Sequence, residues 1–347
     1  MRLERITPGR TPPPGLQGSV LTRDLSVAGR RLSKGTRLTA ADLAAIAAAP
    51  AGPGATVLLL DPGELHEEEA ALRLAAAVRG PGLDQRGPNE SRVDLVAAVA
   101  GVLHVRVRDM ERLDRIDPLE VFTALDGSVV TPGQLVASVK VAPHVVPESV
   151  IEAGEAVTAH GARPLVWVAP FVPMRVGVVV KESLRAADRA RFERSVGDKV
   201  AALGSTIASF AYVADEEVPV ETALRDLTRG RGAVDVVLTA GGRSTDPSDP
   251  FFTALERVGG RMIRRGVPAH PGSMLWLARI RRTAVLGLPT CGAYSKATAA
   301  DLLLPRLLTG EPPSRTTVAR LGHGGILTRD MRFRFPSYAR ALEAPDG

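Results

Sequence analysis

The chain of 347 residues contains one cysteine, which excludes a disulfide framework and fits a reducing compartment. Aromatic residues make up only 4%, so packed cores must be assembled from Ala, Val and Leu. No apolar run reaches the roughly eighteen residues that a membrane helix needs; the stretch 40–60 comes nearest and is broken by Asp42, Pro50 and Pro53. Residues 1–5 (MRLER) lack the apolar core of a secretory signal. A concentrated basic run is missing too. The net charge of +6 comes mostly from arginines scattered through every segment, and aromatic platforms for stacking bases are scarce. These absences lead us to expect a soluble cytoplasmic protein with no nucleic-acid partner and no membrane partner. An anionic small ligand accounts for the surplus charge, and so does an arginine-rich composition with no function at all.

Glycine (34) and proline (27) are abundant, which favours many turns and short loops over long helical bundles. The length allows two or three domains. Residues 1–18 read as a flexible arm rich in Pro and Gly. Residues 19–165 read as an N-terminal α+β region rich in strands, 170–310 as an α/β domain, and 311–347 as a tail. In the N-terminal region, Ala40 to Ala49 reads as a helix with Thr39 as cap, His66 to Val78 as a second helix and Val93 to Val99 as a third. His66, Glu67 and Glu68 at the start of the second helix fit a solvated helix end rather than a metal site, since no further ligand follows at i+4. Glu120 to Val146 reads as a small antiparallel unit. Within it, Lys140 either meets an anion or guards a strand edge.

Beyond Pro170, short β-branched runs alternate with helical spacing, the pattern of βαβ crossovers and a mostly parallel sheet with a hairpin-like insertion near 261–286. The fold expected there is three layers, α/β/α. In the segment 234–250 (VDVVLTAGGRSTDPSDP) an apolar strand empties into Gly241–Gly242, and Asp249–Pro250 then opens a helix. Glycines let a ligand approach the backbone, and a helix N-terminus favours anions. Two further loops are expected at the same rim: 270–273 (HPGS), and 287–296 (GLPTCGAYSK) ahead of a last helix. Asp249 is an N-cap in the plain view and a ligand in the functional one; Asp246–Pro247 repeats the pattern three residues earlier. His270 reads as a phosphate contact or a turn residue, Ser295 as a cap or a ligand, and Cys291 as a small buried residue or a thiolate beside a helix start. The tail motif 322–325 (GHGG) reads as a turn or as a flap over the loops.

This ordered loop set resembles the signature of the molybdopterin-binding superfamily, which includes molybdopterin molybdotransferases and adenylyltransferases. The likeness covers about 174–310. More loosely, Leu21 through Ala44 and Val57 to Val146 resemble a molybdotransferase-like subgroup associated with maturation of molybdenum hydroxylases. The resemblance implies a pterin and its phosphate held at the strand ends, with Thr239, Gly241, Gly242, Ser244, Pro271, Gly272, Gly287 and Pro289 at matching positions; Arg243, His270, Ser273, Cys291, Ser295 and Lys296 are further candidate contacts on the same loops. It implies a catalytic role and a metal or molybdate role for Asp249, and molybdate beside molybdopterin or its adenylylated form; Asp246 with Asp249 makes a carboxylate pair that would suit Mg²⁺. A homo-oligomer and a molybdenum-enzyme apoprotein partner follow from the same likeness. The sequence departs from the family where lysines would flank Pro271–Gly272, here His270 and Ser273. It departs again where Gly-Asn-Pro would follow Pro289, here Thr290, Cys291 and Gly292, and at the turn after the first strand, here Val180, Lys181, Glu182 and Ser183. Lys181, Lys296 and Arg243 are the cations that could compensate. Two functions remain open: a maturation protein that assists molybdate insertion, and a non-catalytic carrier of the cofactor. An unrelated nucleotide-binding enzyme in the same kind of crevice is a third.

Overall fold

In a computed structural model, which describes residues 1–49, 54–181, 185–288 and 297–341, the β-branched runs past residue 170 form one six-stranded sheet. Its strands lie in the order Thr206–Tyr212, Arg175–Val180, Val236–Ala240, Thr283–Gly287, Trp276–Ile280 and Arg261–Arg265. The first four run parallel, and the last two turn back antiparallel. The two central strands are buried along their whole length, as expected where helices cover both faces. On one face Val176, Val178, Val236 and Leu238 pack with Phe192, Val196 and Val200 of the helix Ala186–Ala202. On the other, Val179, Val237 and Val285 pack with Leu224, Phe251 and Trp276, under the helices Glu217–Thr228 and Pro250–Arg257. This is the expected α/β/α arrangement with its antiparallel extension.

The chain divides into two compact units: 1–99 with 104–126 and 131–168, and 100–103 with 127–130 and 169–347. The stretch past 310 is part of the second unit's core rather than a loose tail, because Val318, Leu321, Leu327, Phe335 and Ala339 join the cluster around Phe192. The helix expected from Ser295 is described over Ala300–Leu307, with Pro305 inside it.

The first unit is rich in antiparallel strands. Residues 2–6, expected within a flexible arm, form the strand Arg2–Ile6 against Ala55–Leu59; Ile6 is fully buried and ties it down. Val93 to Val99, expected as a helix, is instead the strand Arg92–Ala97, paired with Leu135–Val141 and Leu83–Asn89. Val93 and Leu95 alternate with Asp94 and are both wholly buried, and a run this short is ambiguous until its neighbours are known. Lys140 stands in an interior strand opposite Glu120, so it guards no edge. His66 caps the helix Glu67–Val78 by accepting from the Glu68 amide at 3.3 Å. Glu67, expected to be solvated, is buried and meets His144 at 3.0 Å. Among the described residues no helix is long and apolar enough to cross a membrane.

Two tests follow from this packing. Phe192 is fully buried and meets Phe210 edge to face at 6.1 Å. Phe192→Ala should therefore cost about 3–5 kcal/mol, read as a lower urea midpoint by Trp276 emission in a Trp167→Phe background. The helix Ala40–Ala48 starts on a capping box in which Thr39 and Asp42 bond each other reciprocally. The Thr39 hydroxyl and amide hold the Asp42 carboxyl below its ordinary range, so the folded state releases that proton more readily than the unfolded chain. The stabilisation is complete above the unfolded carboxyl pKa and is lost as pH falls through the lower folded value. Thr39→Ala should cost about 1 kcal/mol at pH 7, and the difference between variant and wild type should shrink below about pH 4 in paired urea titrations.

Candidate functional site

Strand register decides which loops can meet. Thr239 lies beside Gly287 in the parallel pair, and the Leu288 amide donates to the Thr239 carbonyl at 2.8 Å. The loops that follow these two strands therefore leave from the same end. Trp276 lies opposite Gly287 in the antiparallel pair, which brings the segment before it, His270 to Leu275, to that end as well. Ala299, at the far side of the third loop, donates its amide to the Pro271 carbonyl at 3.0 Å. Val180 lies beside both Tyr212 and Ala240, so Lys181 and Asp215 sit at this rim too. The three loops thus start at one carboxyl rim, as the alternation of strands and helices implied.

The first loop is held by a buried charge cluster. Asp249 is 1% exposed; it accepts from the Phe251 amide at 2.8 Å and the Arg243 amide at 2.6 Å. Its Oδ2 also faces Lys181 Nζ at 2.9 Å. That ammonium has no exposed side-chain surface and reaches Asp215 Oδ1 at 2.5 Å, with the Phe251 ring 5.4 Å away. Arg243 pairs with the other Asp215 oxygen at 3.0 Å. Charge inside this group balances, two cations against two carboxylates. Lys181, offered from the sequence as a compensating ligand cation, is committed to Asp249 and Asp215.

The helix start is committed as well. Pro250 has no N–H, the Phe251 amide goes to the Asp249 side chain, and the Phe252 amide goes to the Asp249 carbonyl at 2.8 Å. The expectation of a free helix N-terminus for an anion is therefore corrected: Asp249 itself is the anion at that pole. Its role as a cap, one of the two open from the sequence, is present in the structure.

The glycine turn is different. Among the described residues the amides of Gly241 and Gly242 meet no acceptor, although both residues are half-buried. Gly241 has φ +85°, a conformation that side chains disfavour. The Thr239 hydroxyl, two residues earlier on a residue 1% exposed, also lacks a partner among the described residues. An unpaired buried hydroxyl costs about 1–3 kcal/mol, so a bound group that satisfies it is favoured. Ser244 is half-buried in the same loop.

Other expected site residues have local roles. Gly287 leaves room for Trp276: an added Cβ would stand 1.9 Å from the indole nitrogen, so this glycine is explained by cross-strand packing. Gly272 has φ +115°, and a Cβ there would meet the Ala299 amide at 2.7 Å. His270 is exposed; its backbone is bracketed by the tail, donating to the Gly325 carbonyl at 2.7 Å and accepting from Leu327 at 2.8 Å. The 322–325 motif thus lies along the second loop. Pro271 is half-buried and Ser273 exposed, its carbonyl accepting from Val267 at 3.0 Å. Pro289, Cys291, Ser295 and Lys296 lie outside the described residues.

A divalent ion fits this set poorly. Both Asp249 oxygens have partners, one of them an ammonium. Asp246 accepts from the Ser248 amide and hydroxyl at 2.9 and 2.6 Å, which hold its carboxyl below the ordinary range, hydroxyl first. Among the described residues no group of three or more His, Cys, Asp or Glu is placed to hold a metal. The Mg²⁺–Asp249–Asp246 pairing expected from the sequence therefore finds both Asp249 oxygens engaged, and the Ser248 contacts on Asp246 leave only its Oδ2 open. Sequence reasoning missed the partnership of Lys181, Asp215 and Asp249. The one legible signal was an apolar run, Val176 to Val180, ending in a lysine.

Comparison with known proteins agrees with part of this picture. No curated protein matches the chain. Two solved structures overlap it loosely: a molybdopterin biosynthesis MoeA protein from Pyrococcus horikosii, at 14% identity over 75% of this chain and 81% of that one with a TM-score of 0.31, and a NadC deletion mutant at 13% identity over 55% and 80% with a TM-score of 0.16. Overlaps this loose do not bear on what the chain binds. Residues 183–309, which carry the three loops, match the family described as a probable molybdopterin binding domain.

Proposed function

We propose that the carboxyl rim of the second unit binds molybdopterin, free or adenylylated, and that the protein acts in molybdenum cofactor biosynthesis. The observation that carries this is a set of donors without acceptors among the described residues at the end of the central strand: the Gly241 and Gly242 amides and the Thr239 hydroxyl. The family match over the same segment supports it. A pterin offers ring nitrogens and a carbonyl to such donors, and its phosphate offers oxygens to glycine amides. Ser244, Arg243 and the loop 270–273 would complete the contact, and the loop 289–296 would add Cys291, Ser295 and Lys296. The protein would act in the cytoplasm, as a homo-oligomer, and pass its cofactor to a molybdenum-enzyme apoprotein.

Two activities fit the site: assistance to molybdate insertion, and carriage without turnover. The commitment of Lys181 to two carboxylates favours carriage. Catalysis of phosphoryl chemistry rests on cations placed at developing negative charge, and the cluster around Lys181 has no net charge to offer.

The test is a fluorescence titration of full-length protein with molybdopterin, followed by Trp276 emission. Saturable binding is expected; none at any concentration removes the proposal. Gly242 accepts a side chain without backbone strain, its nearest neighbour being the Phe251 ring at 3.4 Å. Gly242→Val should weaken binding at least about tenfold, near 1.4 kcal/mol, with the thermal midpoint nearly unchanged. Tight binding of the adenylylated pterin without turnover in the presence of molybdate is expected of a carrier, and steady turnover would select the molybdotransferase reading.

A further inference from the structure

A lysine ammonium with no exposed surface, seated between two carboxylates, is an uncommon arrangement that burial alone would oppose. Removing a charge from water is costly, and a buried ammonium persists only where partners and geometry repay that. Here Lys181 Nζ lies 2.5 Å from Asp215 and 2.9 Å from Asp249, with the Phe251 ring face at 5.4 Å. Asp249 is nearly inaccessible, whereas Asp215 is about one-third exposed, with 36% of its side chain reaching solvent. The cluster thus has one dry carboxylate, one wet one and a cation between them. Two carboxylates converging on a single positive centre are also what a divalent ion asks of a protein, commonly with waters filling the other positions.

We propose that Lys181 is a resident counterion standing where a divalent cation would otherwise sit, and that ligand binding at this rim proceeds without metal at Asp249. The chain supplies its own positive centre covalently, from the end of the strand Arg175–Val180. The ammonium fixes Asp249, which in turn holds the Arg243 amide at 2.6 Å and so the shape of the glycine turn. Lys181 is a positioning residue in this arrangement: it acts through Asp249 and touches no ligand. With Arg243 also paired to Asp215, its single charge leaves the four groups neutral, where a divalent ion in its place would leave them positive. The inference deepens the pterin reading, on which its second clause rests; its first clause concerns the empty protein alone.

The experiment has two arms. In the first, full-length protein is titrated with Mn²⁺ alone at fixed ionic strength, and bound metal is read by electron paramagnetic resonance together with the thermal midpoint. Wild type should show no site that depends on Asp249. Lys181→Met should bind Mn²⁺ at least about tenfold more tightly than wild type and gain thermal stability from it, and Lys181→Met/Asp249→Asn should lose both effects. A Mn²⁺ site in wild type that disappears in Asp249→Asn overturns the proposal, as does a folded Lys181→Met with no gain in affinity. Should Lys181→Met fail to fold, the comparison of wild type with Asp249→Asn decides by itself.

In the second arm, the pterin titration is run in EDTA and again in Mg²⁺. Equal binding in both supports the proposal. Binding that requires Mg²⁺ overturns it while leaving the pterin reading intact. No binding in either removes the pterin reading and leaves the Mn²⁺ arm to decide the counterion.

Discussion

One carboxylate organises the rim of the second unit. Asp249 caps a helix, closes the glycine turn through the Arg243 amide and neutralises Lys181. These tasks depend on one another. Without Asp249 the buried ammonium would be left with only the exposed Asp215, which it shares with Arg243, and a cap without Lys181 would leave a dry, unpaired carboxylate; losing one member of a buried pair typically costs about 3–5 kcal/mol. The turn is thereby shaped before any ligand arrives, with the donors of Gly241 and Gly242 left over. Pre-set donors of this kind lower the ordering cost of binding.

The register of the sheet provides the frame. Because Thr239 stands beside Gly287 and Trp276 opposite it, three chain reversals far apart in sequence begin at one edge. The Trp276 indole fills the space that Gly287 leaves, which locks the antiparallel extension to the parallel strands. Phe251 and Phe252 pack against the same indole at 6.1 and 5.5 Å. Three of the chain's thirteen aromatics are therefore gathered where the first loop and the second loop meet the sheet.

Much of this architecture was legible in the residues. Continuous apolar runs such as Val236 to Leu238 specify buried parallel strands, and the Thr39 cap followed by apolar spacing specifies its helix. Val93 to Val99 was not legible, because a short apolar run carries no period long enough to separate strand from helix. The Arg2–Ile6 strand was hidden behind the prolines that follow it, although Ile6 is buried. At the site, the glycine turn and the Asp249 cap could be seen locally. The engagement of Lys181 could not, since Asp215 and Asp249 lie 34 and 68 residues away in sequence and only the parallel pairing joins them. Glu67, drawn into contact with His144, eluded a local reading for the same reason.

The boundaries of the family match have a practical meaning for dissecting the chain. The matched segment begins at 183, just after the strand Arg175–Val180, which lies between Thr206–Tyr212 and Val236–Ala240 in the sheet. It ends at 309, ahead of Val318, Leu327 and Phe335, which fill the same interior. A fragment cut at those limits would open a slot through the middle of the sheet and strip one layer of its lining. It would also discard Lys181. The segment that carries the recognisable loops is therefore not a piece that can be excised and expected to stand, since the second unit also draws on 100–103, 127–130 and the residues on either side of the match.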